Sequence, residues 1–169
     1  IEKELLQIRS LKTIVFELPR GHLKSSLLTV AWVIQQLLIK PDIRICILNA
    51  GYDIAVKFLS EIKQHLRNPA LTRLFPNILF ENPDKEASVW RDDAIKIKTS
   101  NPRVAYSIRA GSIEGTFTGD HYDIMIFDDI QDQRNSENSN QIEKVINRYK
   151  NCVSILEPEG WRIIIGTRW

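Results

Sequence analysis

Nine residues, LPRGHLKSS at 18–26, place a Lys-Ser pair directly after the apolar run TIVFEL (13–18). Such a junction does phosphate chemistry when backbone N–H groups at a helix N-terminus converge on an anion, a lysine reaches the outer phosphates and the next hydroxyl ligates Mg²⁺. Lys24 and Ser25 supply the last two parts. The strict pattern G-x-x-x-x-G-K-[ST] is not met, because Leu18 and Leu23 stand where its glycines belong and Gly21 is the only glycine of the stretch. The cost of Leu23 is expected to be modest provided its backbone keeps to an ordinary region, since only a position with φ > 0 calls for glycine. A strand–turn–helix junction with a capping serine explains the same residues without any ligand.

About a hundred residues on, DIMIFDD (123–129) ends a second apolar run on two carboxylates, Asp128 and Asp129. Open parallel sheets place ligand chemistry at the C-terminal ends of their strands. There Asp128 would hold Mg²⁺ through water, and Asp129 would orient and deprotonate an attacking water. Adjacent acidic residues also simply start turns. A third apolar run ends in GTRW (166–169), where Thr167 is placed to hydrogen-bond a γ-phosphate or the water. Three strand ends in this order support one another as a nucleotide site, since motifs are confirmed by context.

Positioning these groups requires a parallel sheet. Residues 13–18, 43–49, 123–128 and 162–166 are short, apolar and largely β-branched, as expected of strands buried on both faces. Helical patterns alternate with them. Lys24 to Leu38 is apolar almost all round and reads as a buried helix, and 53–66 places Ile54, Phe58, Leu59, Ile62 and Leu66 on one face. A third helix is expected over 141–155, with Ile142, Val145, Ile146, Tyr149 and Val153 on its apolar stripe, Asn140 and Glu143 as a capping box, and Pro158 and Gly160 ending it. The alternation predicts βαβ units and a sheet sandwiched between helices. Residues 94–99 and 104–109, flanking Ser100-Asn101-Pro102, read as a hairpin inserted into that pattern, and 136–140 as a polar loop.

The chain has 169 residues, 43% of them hydrophobic, which suffices for one domain with a sizeable core. Residues 1–110 carry 17 Lys/Arg against 11 Asp/Glu and the remainder 6 against 10, an asymmetry compatible with a polyanion partner. Cys46 and Cys152 show no framework spacing and read as reduced, buried thiols. The longest near-apolar run, Leu27 to Ile39, falls short of the roughly 20 residues a membrane span needs. His22 and His121 lack companions at metal-ligand spacing. Without an initiator Met, the chain reads as a piece of a longer protein.

Taken together, P-R-G-H-x-K-S, the following IRICILNA strand, T-G-D-H-Y-D-I-M-I-F-D-D and G-T-R-W resemble the ATPase domain of the large terminase subunits of tailed bacteriophages, over nearly the whole chain. The resemblance implies an α/β, three-layer P-loop NTPase fold of the ASCE or RecA-like kind, mostly parallel in its central sheet and with an inserted hairpin, filling 1–169 and lacking the family's C-terminal nuclease domain. It implies Mg²⁺-dependent hydrolysis of ATP that drives viral double-stranded DNA into a procapsid. The implied partners are the DNA, the portal protein, the small terminase subunit and further copies in a homo-oligomeric ring, in the host cytoplasm and not on a membrane. Such loops carry an early arginine and an optional second glycine, matching Arg20 and Leu23.

By the same resemblance Pro19, Arg20, Gly21, His22, Leu23, Lys24, Ser25 and Ser26 contact the nucleotide, and Ser25 and Asp128 hold the metal. Asp129 is the catalytic carboxylate, where the family often has Glu; Thr167 is the coupling residue, Arg20 touches the γ-phosphate, and Arg109 is the candidate arginine finger in trans. Relatives often read TGR-H where this chain has Thr118-Gly119-Asp120-His121. Two other readings stay open: a helicase-like ATPase or kinase, and a nucleotide-binding switch without turnover.

Overall fold

In a β-strand successive side chains face opposite ways, so a strand apolar at every position must be covered on both sides. β2 (Ile45–Asn49) is such a strand, buried throughout, and β5 (Tyr122–Asp128) nearly so. They lie at the centre of a six-stranded sheet in the computed structural model, which describes residues 12–19, 21–115, 117, 119–131 and 138–167. The chain enters through β1 (Lys12–Leu18) and a turn containing Gly21 to Leu23. A helix then begins at Lys24, widens to a π-helical segment (Ser26–Ala31) and continues as α1 (Trp32–Ile39). After β2 come α2 (Tyr52–Leu66), α3 (Pro69–Leu74), α4 (Pro83–Glu86), β3 (Ala94–Ile95) and β4 (Ile108–Ser112); after β5 come α5 (Ser139–Val153) and β6 (Leu156–Thr167). Pro69 and Pro83 each open a short helix, where the missing N–H goes unused.

The strand order is β1-β6-β5-β2-β4-β3, with every pairing parallel except β3 against β4. One face of the sheet, with Ile45, Ile47, Ile126 and Ile163, packs on Val30, Val33 and Leu37 and on Ala55, Leu59 and Ile62 of α2. The other face, with Cys46, Leu48, Met125 and Phe127, packs on Cys152 and Tyr149 of α5. The architecture is therefore α/β with a mostly parallel central sheet between helical layers. Among the described residues no helix is long and apolar enough to cross a membrane.

Several elements differ from their sequence reading. β1 lies at the edge of the described sheet and alternates in exposure, with Val15 57% exposed, instead of being buried on both faces. The helix from Lys24 is not buried all round either: Leu27 and Ile39 are exposed, and Leu28, Trp32 and Gln36 line a groove of about 570 Å³ together with Ile14, Phe16 and Trp161. On α2 the buried row is Ala55, Leu59, Ile62 and Leu66 with Ile54 exposed, and on α5 Ile142 and Ile146 are exposed while Val145 and Cys152 are buried. The cap of α5 is Asn138, whose side chain accepts from the Gln141 N–H at 2.9 Å, and not Asn140. Pro158 and Gly160 lie inside β6, at a register shift between Tyr122 and Ile124, instead of ending a helix.

The expected hairpin is reduced to two residue pairs, Ala94 with Arg109 and Ile95 with Ile108. Its second arm starts later, at Ile108, because β4 also pairs in parallel with β2 and so belongs to the central sheet. Of the polar loop 136–140, the first two residues lie outside the described residues.

Candidate nucleotide site

Leu18 is in register with Thr167, and Asp128 with Ile165 two residues before it, so β1, β6 and β5 end side by side. β6 lies between the strand that feeds the Lys-Ser loop and the strand that ends on the carboxylates, which sets Thr167 between Lys24 and Asp129. The Lys24 ammonium donates to Asp129 Oδ2 at 2.7 Å and to the Thr167 hydroxyl, which lies 3.2 Å from both carboxylate oxygens of Asp129. Three segments more than a hundred residues apart at their extremes thus converge on one polar cluster. Lys24 is nearly enclosed, its side chain 11% exposed, whereas Asp129 at 41% is open to solvent.

The first i to i−4 bond of the helix runs from the Leu27 N–H to the Leu23 carbonyl at 2.9 Å. The N–H groups of Lys24, Ser25 and Ser26 therefore have no acceptor within the helix, which is the anion-binding feature of a helix start. Gly21 and Leu23 both have positive φ, +82° and +52°. The condition for a modest cost at Leu23 is thus not met: the loop holds a glycine-like conformation with a leucine, which is 67% exposed. A left-handed residue other than glycine costs about 1–2 kcal/mol, while glycine adds about 0.5–1 kcal/mol of unfolded-state freedom. Leu23→Gly should accordingly leave stability unchanged or raise it by up to about 1.5 kcal/mol, whereas Leu23→Val, stiff at Cβ, should lower it. Urea unfolding midpoints of the two variants check this.

Asp128 is 1% exposed. Thr29, fully buried in the π-helical segment, donates to its Oδ2 at 2.6 Å, while Oδ1 has no hydrogen-bond partner among the described residues. Burial pushes the carboxyl pKa up, and the hydroxyls of Thr29 and Ser25 oppose that rise. The buried Asp128 carboxylate and the Ser25 hydroxyl beside it are an all-oxygen set suited to a hard cation. Among the described residues no group of three His, Cys, Asp or Glu side chains gathers as a metal cage. A Mg²⁺ ion here would take its remaining ligands from phosphate and water, as that ion ordinarily does.

Asp128→Asn should stabilise the ligand-free chain by about 1 kcal/mol, or roughly 2–4 °C in Tm, because it removes a poorly compensated buried carboxylate. The folded carboxyl holds its proton more tightly than the unfolded one, so acidification from neutral toward the ordinary carboxylate range favours the folded state of the unaltered chain. The variant should lose that gain. Thermal melts at several pH values measure both effects.

Pro19, Gly21, His22 and Ser26 lie on the same loop and helix start as Lys24 and Ser25, while Arg20 and the Trp169 end of GTRW fall outside the described residues. Arg109 is not brought to the cluster. It is the second residue of β4, paired with Asp120 and stacked on the rings of Phe117 at 5.0 Å and Tyr106 at 5.7 Å. Thr29 was missed, although a hydroxyl one turn beyond Ser25 inside an apolar run is a readable signal. No family model and no curated protein matches the chain.

Proposed function

We propose that this domain binds ATP at the ends of β1, β5 and β6 and hydrolyses it by in-line attack of water. The observation that carries the reading is the meeting of Lys24, Asp129 and Thr167 beside the buried carboxylate of Asp128. The loop N–H groups and the Lys24 ammonium bind the outer phosphates, and Ser25 and Asp128 hold the cation. Bound Mg²⁺ supplies neutralisation of phosphate charge. Asp129 orients the attacking water and accepts its proton, and Thr167 links that carboxylate to the phosphate-binding lysine.

Lys24 is paired with Asp129, so phosphate on the loop competes with Asp129 for the ammonium. Binding then releases the carboxylate to act on water. Asp129 is one methylene shorter than glutamate, and its left-handed backbone, φ +46°, helps decide where its carboxylate reaches.

The biological setting we infer is that of the resemblance, a large-terminase ATPase domain moving double-stranded viral DNA into a procapsid as part of a ring with portal and small-subunit partners. Arg109 could serve a neighbour's nucleotide only by leaving Asp120. The reading is tested by measuring Mg²⁺-dependent ATP binding and phosphate release, alone and with double-stranded DNA. A folded chain that does neither overturns it.

A further inference from the structure

Asp129 owes its direction to its backbone, and a left-handed non-glycine residue persists only where its surroundings hold it. Three bonds do so. The Asp129 N–H donates to the Ile165 carbonyl at 2.9 Å, the Ala50 N–H donates to the Asp129 carbonyl at 3.3 Å, and the Asn49 side-chain amide donates to the Asp128 carbonyl at 2.6 Å. The last two arise from one corner, at the C-terminal end of β2, and grip the carbonyls on either side of the Asp129 Cα. Turning φ or ψ of Asp129 moves one of these carbonyls against the other, so the corner restrains both angles.

Asn49 is 3% exposed, and its Oδ1 accepts from the Gly51 N–H at 2.9 Å. Since that N–H can only donate and the Asp128 carbonyl can only accept, the orientation of the amide is determined. Its side-chain hydrogen bonds thus go to backbone groups, the Asp128 carbonyl and the Gly51 N–H, and not to either carboxylate.

We propose that Asn49 is a positioning residue for the Asp129 carboxylate, acting through the Asp128–Asp129 peptide. This rests on the hydrolytic reading above. Asn49→Ala removes both side-chain bonds. Asn49→Asp keeps the size and the acceptor for Gly51 but, as an anion, has nothing to donate to Asp128. Displacing a reacting group by about 1 Å can slow a reaction by roughly 10²-fold.

Single-turnover phosphate release from Mg·ATP should therefore fall by about 30- to 100-fold in both variants, while affinity for a fluorescent ATP analogue changes by less than about threefold. Hydrogen exchange at the Asp129 amide should quicken in both, measured on chains whose circular dichroism matches the unaltered protein. Should Asn49→Ala fail to fold, Asn49→Asp decides alone. Unchanged turnover in either folded variant, or affinity falling in step with turnover, overturns the assignment. If the unaltered chain neither binds nor hydrolyses ATP, the hydrolytic reading falls instead, which the same measurements on that chain reveal.

Discussion

Lys24→Ala should reduce phosphate release by about 10²–10³-fold, the loss typical of removing a preorganised donor from developing charge. Nucleotide affinity should fall as well, by about 10- to 100-fold, because a hydrogen bond from a charged group contributes roughly 1.5–3 kcal/mol. The structure adds a second consequence. Lys24 is the partner of Asp129 and touches Thr167, so its removal also takes this cation from Asp129. Isothermal titration with a non-hydrolysable ATP analogue and single-turnover assays separate the two losses. A folded variant with unaltered affinity and turnover would sink the phosphate-loop reading.

Asp129→Asn should slow hydrolysis by about 10²–10⁴-fold, the range a positioned general base supplies, while leaving nucleotide bound. Affinity should hold or rise a few-fold, because the amide no longer competes with phosphate for the Lys24 ammonium. This pattern is the opposite of that for Lys24→Ala, although the two side chains touch. It also differs from Asp128→Asn, which should weaken the Mg²⁺ dependence of binding. Equal loss of binding in Asp128→Asn and Asp129→Asn would show that the two carboxylates do not divide the work as assigned.

Much of the frame was legible because its signals are local. The β-branched runs around Ile45 to Leu48 and Ile124 to Phe127 are apolar at consecutive positions, which only burial on both faces accommodates. The Lys-Ser pair, the Asp-Asp pair and the threonine closing the last strand each stood at a strand end, and parallel sheets gather those ends. The helix faces were read less well. Ile54, Ile142 and Ile146 fit an apolar stripe by spacing, but burial depends on which side of the helix meets the sheet, and spacing alone does not fix that side to within a residue.

What the chain determined by itself was the kind of the four apolar strands and the three longer helices, and the residues capable of chemistry at the strand ends, since both follow from side-chain type and period. Only the tertiary structure decided which strand lies between which, and that order sets Thr167 between Lys24 and Asp129. It alone put Leu23 and Asp129 into left-handed backbone, against their intrinsic preference. It alone paired Arg109 with Asp120 and brought Thr29 and Asn49 against Asp128. These outcomes rest on contacts between residues far apart in the chain, where packing and the need to satisfy buried polar groups outweigh local propensity.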